Sequence, residues 1–330
     1  DELKLLSQYA REALDRQEPA TPVLTVIDQA CSACQRGSHY VTDACRSCVA
    51  RPCTVNCRRD AIEVTNKRAN IVQEKCINCG LCVKVCPYHA IVYVPVPCEE
   101  VCPVDAIVKD ETGREHIDNE KCINCGKCMG ACPFGAIMER SSIVDVIGRI
   151  NGDKKTVAML APAMAGQFPG GMKKLTSAVK RLGFDDVVEV ALGAELTAQN
   201  ESKEVAEKLS EGTALVTTSC CPAYIEAVNK HVPEMLPYVS DTPTPMHYTG
   251  QLVKNDDPDA ITVFISPCVA KRQEAIADPT INYVLTTEEL GAMLVAAEIE
   301  INDCPEAIFE PPASSEGRTF AFSGGVTKAV

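Results

Sequence analysis

The chain has 330 residues, of which 46% are hydrophobic and 20 are cysteine, and its formal net charge is −13. This length predicts two or three domains with a packed core, and the negative charge argues against nucleic acid and anionic membranes as partners. We expect neither a signal peptide nor a membrane-spanning segment, and so many reduced thiols fit a cytoplasmic location.

Residues 1–25 are predicted to form a helix and a linker, because apolar residues recur on one helical face until Pro19 and Pro22 interrupt it. Sixteen cysteines follow between Cys31 and Cys132, many of them in pairs separated by two residues. Disulfides are the alternative, but such close pairs make poor bridges, and a small secreted scaffold would not continue into a long globular sequence. Runs of three or four cysteines, most of them ending in Cys-Pro, favour iron–sulfur clusters over zinc.

An internal repeat organises the cysteine region. The segment Lys75–Cys82 reads Lys-Cys-Ile-Asn-Cys-Gly-Leu-Cys and returns over Lys121–Cys128 with one change, and each copy leads to a Cys-Pro pair. We therefore predict two ferredoxin-like α+β units, a first iron–sulfur unit over 26–95 and a second over 96–140, each holding two 4Fe–4S clusters.

The cysteines of the first unit divide into two crossed sets. In two-cluster ferredoxins, the fourth cysteine of each run binds the other cluster. This rule gives the following ligand sets: Cys45, Cys48 and Cys53 with Cys86, and Cys76, Cys79 and Cys82 with Cys57.

The second unit is less regular. Its complete run, Cys122, Cys125 and Cys128, is assigned to one cluster together with Cys102. Elimination then joins Cys98 and Cys132 to Cys31 and Cys34, the only unused pair. Those last two thiols could instead bind zinc or stay free. With this fourth set, sixteen thiols supply four accessory clusters.

From residue 141 to residue 330 the rhythm changes, since short apolar runs alternate with helical patterns. This predicts an α/β domain with largely parallel strands. The predicted strands cover 156–160, 187–191, 214–218 and 261–265, and the predicted helices cover 172–182, 195–209, 223–230 and 288–298. Cys220, Cys221 and Cys268 each follow a predicted strand, where α/β sheets gather their chemistry.

Three segments of this domain carry a recognisable pattern. They are Leu-Ala-Pro-Ala over 160–163, Thr-Ser-Cys-Cys-Pro-Ala-Tyr over 218–224, and Ser-Pro-Cys-Val-Ala-Lys-Arg-Gln-Glu over 266–274. They resemble signature motifs of iron-only (FeFe) hydrogenases, and Tyr224 and Ser266 resemble the divergent group B branch. With the ferredoxin-like units, the likeness covers nearly the whole chain.

The resemblance implies an oxidoreductase that interconverts protons and electrons with H2. It implies an H-cluster, which is a 4Fe–4S cubane joined to a diiron unit with CO and CN ligands. It also implies maturation proteins for the diiron unit and a soluble electron carrier such as ferredoxin as partner.

The resemblance further implies roles for single residues. Cys221 and Cys268 match two of the four ligands of the H-cluster cubane, Cys220 matches a proton-passing thiol, and Lys271 matches a donor to a cyanide ligand. The residues implied around the diiron pocket are Ala161, Pro162, Met246, Pro267 and Phe320. The implied proton route and its neighbours are Lys208, Glu204, Ser240, Glu201 and Glu274. Taken alone, Glu201 and Glu204 fit a solvated helix face, and Lys208 stands where the family usually has Arg.

One departure from the family is larger. Its third motif supplies the other two cubane ligands and lies beyond a Gly-Gly segment that resembles Gly324-Gly325. Residues 1–330 contain no such motif, and Cys304 is not expected to replace it. We expect the motif to follow Val330; the alternative is a protein that has lost the H-cluster site. An iron–sulfur assembly factor of the hydrogenase-like kind, a sensory hydrogenase and an electron-transfer subunit are the alternatives, and retention of Cys220 and Lys271 argues against the first.

Overall fold

The structure is a computed structural model that describes residues 22–330, so the predicted N-terminal helix lies outside the described residues. The described residues divide into two compact units. One comprises 26–118 and 127–138 and is called here the cluster unit; the other comprises 22–25, 119–126 and 139–330 and is called the α/β unit. Within residues 22–330, no helix combines the length and apolarity needed to cross a membrane.

The cysteine region is built from short strands and helices. In chain order they are β1 Leu24–Val26, β2 Ser38–Val41, α1 Pro52–Val55, β3 Ile62–Thr65, β4 Arg68–Ile71, α2 Leu81–Val85, β5 Ile91–Val94, α3 Pro97–Glu100, β6 Ile107–Lys109, β7 Glu115–Ile117, α4 Lys127–Ala131 and β8 Ile137–Glu139. Three antiparallel pairs, β2–β5, β3–β4 and β6–β7, give the cluster unit the α+β character that the repeat predicts.

The rest of the α/β unit alternates strands with helices. Its elements are α5 Ile143–Ile150, β9 Thr156–Leu160, a 3-10 turn Pro162–Met164, α6 Gly171–Arg181, β10 Asp186–Glu189, α7 Ala191–Ser210, α8 Pro222–His231, a 3-10 turn Pro233–Tyr238, α9 Pro245–Asp256, β11 Ile261–Ile265, α10 Lys271–Ala277, β12 Tyr283–Leu285, α11 Thr287–Ala296, a 3-10 turn Ile301–Asp303, α12 Ser315–Arg318, a 3-10 turn Thr319–Ala321 and α13 Gly325–Ala329.

Four parallel strands form the central sheet in the order β10-β9-β11-β12. All five residues of β9 and of β11 are buried, as expected of central parallel strands with both faces covered. Leu160 pairs with Glu189 on one side and with Ile265 on the other, so β9, β10 and β11 end at the same edge. The predicted α/β sheet is therefore observed, and it brings the loops after β9 and β11 together.

Sequence reasoning placed one strand wrongly. Residues 214–218 form no strand; Thr217 makes an isolated parallel bridge to Val239, and Leu215 is exposed. The run is apolar but has no neighbouring strand to pair with. Two backbone hydrogen bonds hold it instead: the Thr217 amide donates to the Tyr238 carbonyl (2.7 Å), and the Ser240 amide donates to the Thr217 carbonyl (2.8 Å). Cys220 and Cys221 consequently follow a loop rather than a strand.

Helix α7 packs directly against α9. A Cβ at Gly193 would collide with the Pro245 carbonyl and with Thr249, so this close approach requires glycine. The Thr249 hydroxyl donates back to the Pro245 carbonyl (2.8 Å). This contact fixes the helix that carries Glu201 and Glu204.

Candidate functional site

The same tight turn closes the Cys-x2-Cys pair that begins each cysteine run. In these four pairs the residue before the second cysteine has a positive φ: Ala33 (47°), Ser47 (48°), Asn78 (54°) and Asn124 (55°). Residues other than glycine rarely adopt this conformation, so its fourfold recurrence indicates a shared purpose. The Cys31–Cys34 pair therefore has the backbone turn of the pairs in complete runs.

A second fourfold pattern surrounds the fourth cysteine of each run. Each of these cysteines is followed after three residues by a buried Ala-Ile pair that opens a strand: Cys57 with Ala61-Ile62, Cys86 with Ala90-Ile91, Cys102 with Ala106-Ile107, and Cys132 with Ala136-Ile137. In three of them the alanine amide donates to the cysteine sulfur, at 3.2–3.4 Å. Amide donors of this kind stabilise thiolate ligands and tune cluster potentials. The spacing between each of these cysteines and its Ala-Ile pair is visible in the sequence, but the sequence analysis identified only the repeat of Lys75–Cys82 over Lys121–Cys128.

In the cluster unit, the crossed ligand sets of the first iron–sulfur unit border separate cavities. One cavity is lined by Cys45, Cys48, Cys53 and Cys86, and the other by Cys57, Cys76, Cys79 and Cys82. Burial, and then the neighbouring Cys48 and Cys86, raises the pKa of the Cys53 thiol. Each cavity thus gathers the four thiols that the crossing rule assigns to it.

Three further cysteines of the cluster unit lie around one buried ion pair. The pKa of the Cys98 thiol is raised to about 12, first by burial, then by Glu115 and by Cys132. Glu115 forms an ion pair with Lys109. Burial lowers the pKa of Lys109, but the neighbouring Glu115, Glu99 and Cys34 outweigh burial and raise that pKa. Cys98 therefore lies near both Glu115 and Cys132, and Cys34 lies near Lys109, which supports placing these three thiols in the fourth ligand set.

The donor chemistry fits 4Fe–4S clusters, because four thiols arranged around a cavity are the ligand set of a cubane. The set of Cys102, Cys122, Cys125 and Cys128 stays a prediction.

Iron content tests the crossing. Replacing Cys45 or Cys86 by Ser should remove the same cluster, so the Cys45→Ser/Cys86→Ser double variant should lose about four irons, as either single variant does. Cys45→Ser combined with Cys57→Ser should lose about eight, because those thiols belong to different clusters. Iron analysis with EPR of the reduced proteins measures both losses. The reverse pattern would show uncrossed runs.

The candidate catalytic residues gather at the carboxyl edge of the sheet. Ala161 directly follows β9, and its amide donates to the carbonyl of Ile265, the last residue of β11 (3.0 Å). Cys268 lies three residues beyond β11, and Cys221 caps the N-terminus of α8. Loops at this edge are where parallel sheets place ligands and catalytic groups.

Three thiols and one lysine form the centre of this site. Burial raises the pKa of both Cys220 and Cys268; the neighbouring Cys221 raises each further, while Lys271 lowers each. Lys271 donates to the Glu274 carboxylate (2.6 Å), and Thr244 donates to the other oxygen of that carboxylate. The ammonium group of Lys271 is therefore held between a fixed carboxylate and the thiols.

Glu204 begins a line of polar groups that leads toward Cys220. Its carboxylate accepts from Lys208 (2.7 Å), from the Ser240 hydroxyl (2.6 Å) and from the Thr242 hydroxyl (2.6 Å). Burial opposes its ionisation, but these donors and the Asp241 amide outweigh burial and lower its pKa to about 2. Glu204 is a permanently charged anchor at neutral pH.

Glu201 has the opposite character. It is 0% exposed, and neither carboxyl oxygen has a hydrogen-bond partner in the described residues. Burial raises its pKa and the charge of Glu204 adds to this. The Ser240 hydroxyl and the Ser219 amide lie nearby without reaching hydrogen-bond geometry, and they offset only part of the rise. Its charge acts on the Cys220 thiol. A buried carboxyl with a raised pKa that lies close to both Ser240 and Cys220 can accept a proton and release it between them.

The low pKa of Glu204 predicts a pH-dependent contribution to stability. Its folded pKa lies below the unfolded value of about 4.3, so the ionised group stabilises the fold above that pH, and the contribution is lost as pH falls toward 2. We expect Glu204→Gln to lower the free energy of unfolding by about 1–2 kcal/mol at pH 7, and by less at pH 3.5. Urea unfolding measures this, with exposed Glu207→Gln as the control. An equal loss at both pH values would contradict the assignment.

A protein-family model described as "Iron only hydrogenase large subunit, C-terminal domain" matches residues 154–330, more than half of the chain. The chain belongs to the iron-only hydrogenase family. Two further models match upstream, a 4Fe-4S binding domain over 69–92 and an LdpA Fe-S cluster-binding domain over 92–143. The predicted family and fold class are thereby confirmed, and the chain is an iron–sulfur protein.

Curated relatives within and around this family differ in function. The chain is 27% identical to the NADP-reducing hydrogenase subunit HndD of Solidesulfovibrio fructosivorans, over 79% of this chain and 43% of that protein. It is 28% identical to iron hydrogenase 1 of Clostridium pasteurianum, over 83% and 52%. It is also 27% identical to the cytosolic Fe-S cluster assembly factor NAR1 of Eremothecium gossypii, over 43% and 34%. The chain spans about half the length, or less, of these relatives.

The residues that the family resemblance places around the diiron pocket differ in their solvent exposure. Met246 is 0% exposed and Ala161 is buried, whereas Pro162 and Phe320 are half-buried and Pro267 is exposed. Their contact with a diiron group stays a prediction.

Sequence reasoning missed Thr242 and the Asp241 amide, both of which bind Glu204. Their position directly after Ser240 was the available signal, since a loop that supplies one hydroxyl to a buried carboxylate often supplies its neighbours.

Proposed function

We propose that the chain is the electron-relay and proton-delivery part of an iron-only hydrogenase that interconverts protons and electrons with H2. The observation that carries this proposal is Glu201, a fully buried carboxyl near Ser240 and Cys220 that has no hydrogen-bond partner among residues 22–330. Burying an unpaired carboxyl is destabilising, so its presence beside a thiol favours a role in proton transfer over a structural one.

The residues would act in sequence. The charged Glu204 carboxylate, paired with Lys208 near the surface, would orient the Ser240 hydroxyl. That hydroxyl would pass a proton inward, and Glu201 would hold it beside the Cys220 sulfur. Cys221 and Cys268 would hold the H-cluster cubane together with two further thiolates. When bound, the diiron group supplies the metal centre at which H2 forms or is split. Lys271, positioned by Glu274, would donate a hydrogen bond at that centre.

In the cluster unit, the accessory thiols would carry electrons. Four sets of four cysteines would hold four 4Fe–4S clusters, with potentials of about −400 mV, near those of plant-type ferredoxins. A soluble carrier such as ferredoxin would deliver or remove the electrons, and maturation proteins would supply the diiron group.

Similarity to a cytosolic assembly factor supports a second candidate, an iron–sulfur protein without H2 chemistry. Such a protein would not need the buried Glu201 carboxyl beside the Cys220 thiol. A sensory hydrogenase would keep this line but turn over slowly.

One experiment separates these candidates. The full-length protein, with the third motif that supplies the other two cubane ligands, is produced anaerobically together with diiron maturation proteins. Infrared spectra are recorded alongside H2 evolution from reduced methyl viologen. We expect CO and CN bands and H2 release. Bands with only slow turnover would favour a sensor, whereas iron–sulfur signals without bands or gas would favour the assembly or electron-transfer candidates.

A further inference from the structure

The two copies of the internal repeat share a sequence but not an environment. The segments Lys75–Cys82 and Lys121–Cys128 differ at one position, yet Ile77 of the first is 61% exposed and Ile123 of the second is 8% exposed. In both copies the asparagine amide donates to the sulfur of the first cysteine at 3.4 Å, so the turns themselves are equivalent. The difference must come from parts of the chain outside the repeat.

Helix α8 makes hydrogen bonds to the second copy. The Lys230 ammonium donates to the carbonyls of Asn119 (3.2 Å) and Cys122 (2.7 Å). The His231 ring donates through Nε2 to the carbonyl of Lys121 (2.8 Å), and all of these residues belong to the α/β unit. In the part of the chain that the structure describes, no Lys, Arg or His side chain donates to the matching carbonyls of the first copy. The last turn of α8 therefore holds the backbone that leads into Cys122.

Lys230 brings a fixed charge to this backbone. Its ammonium also pairs with the Glu226 carboxylate one helical turn earlier (2.7 Å), and the two side chains are 26% and 23% exposed. Water and salt screen partly buried charges less than exposed ones, so both charges act on their surroundings. The positive charge is hydrogen-bonded to the peptide of Cys122, a candidate cluster ligand, and the negative charge is bonded to the positive one.

The same helix carries a candidate ligand of the catalytic site at its other end. Cys221 caps the N-terminus of α8, and Lys230 and His231 lie in its last turn, where cations offset the negative end of the helix dipole. The ten residues of α8 span about 15 Å. The charge of Lys230 therefore lies at the end of α8 that binds the Cys122 backbone, and a helix length separates it from the Cys221 backbone.

We propose that Lys230 raises the reduction potential of the 4Fe–4S cluster that Cys122 binds, and that Glu226 limits this rise. This inference rests on the proposed electron relay and adds the residue pair that sets the potential of one of its clusters. Reduction adds one electron to the cluster, and no bond forms or breaks. A nearby cation stabilises the added negative charge, whereas a nearby carboxylate opposes it.

The test measures cluster potentials by reductive titration of the cluster-containing protein with EPR detection, so it does not depend on H2 chemistry. We expect Lys230→Gln to lower the ratio of reduced to oxidised Cys122 cluster about tenfold at a given potential, because one partly buried positive charge is lost. For a one-electron couple, tenfold corresponds to a midpoint potential lower by about 60 mV. Glu226→Gln should shift the same cluster in the opposite direction, by about threefold, because the ammonium loses its counter-charge. Lys230→Arg keeps the cation and should stay within about twofold of the wild type.

Matched controls distinguish this effect of charge from a structural one. The EPR component that moves should be the one that changes in Cys122→Ser, and Lys173→Gln, which removes an exposed cation of the α/β unit, should move none. A purely structural contact would make Lys230→Gln and Glu226→Gln less stable without shifting one potential in opposite directions. Shifts of equal sign, no shift in either variant, or a shift of another component would overturn the proposal. A wild type without cluster signals would overturn the electron relay itself, and this inference with it.

Discussion

Replacing Cys220 by Ala is expected to reduce H2 evolution by about 100- to 10,000-fold, the usual loss when a positioned acid–base group is removed. The thiol lies 3.8 Å from the Thr218 hydroxyl, and both Glu201 and Lys271 act on its pKa. It is the last titratable group of the proposed proton line. Cys220→Ser keeps the size of the side chain but not its acidity, so it should lose activity to a similar extent.

The control for this prediction is Cys304→Ala. Cys304 is also a buried thiol, but it contacts Arg181 and the Glu300 carbonyl, away from the proton line. Its removal should leave turnover within about twofold, because a small buried thiol contributes mainly to packing. EPR signals of the accessory clusters should be the same in all variants. Cys220→Ala with near-normal H2 evolution would remove the thiol from the proposed route.

The iron–sulfur region was predictable from sequence because its chemistry is periodic. Thiol spacing predicts the turns, and the crossing rule gave the two ligand sets that line separate cavities. The positive φ at Ala33 and Ser47 was not predictable, since neither residue type favours that conformation. Only the ligand-binding turn imposes it.

The α/β unit was predictable where a segment is buried on both sides. Strands β9 and β11 agree with the predicted bounds because their apolar runs have no other place in the fold. The run at 214–218 is similarly apolar, but its position depends on whether a neighbouring strand is available, which local sequence does not encode. Helix α9 was missed because its pattern is weak and its packing on Gly193 decides its position.

In the candidate site, a contact within one helix was predictable from sequence, whereas contacts between elements were not. The Lys208–Glu204 contact follows from helical spacing alone, since the residues are four apart. The contrast between Glu201 and Glu204 does not, because spacing puts both on one face. Tertiary packing buries Glu201 completely and gives Glu204 the Ser240 and Thr242 hydroxyls.

Arg272, next to Lys271, carries the largest expected effect on stability. Its guanidinium is 6% exposed and donates to the Glu289 carboxylate, to the Ser142 hydroxyl (2.9 Å) and to the Val284 carbonyl (2.9 Å). The Glu139 carboxylate lies 3.5 Å away. Removing the guanidinium would leave two buried carboxylates without their cation, and breaking a buried pair in this way is destabilising by about 3–5 kcal/mol.

We therefore expect Arg272→Met to lower the free energy of urea unfolding by about 3–5 kcal/mol at pH 7. Adding Glu289→Gln should recover part of this loss, since it removes one uncompensated charge while keeping an oxygen that accepts from the Thr286 amide (2.8 Å). Lys154→Met is the surface control: its pair with Asp259 is exposed on both sides, so the expected change is below about 1 kcal/mol. If the double variant is less stable than Arg272→Met, charge burial is not the cause, and packing around the guanidinium must be what stabilises this part of the sheet.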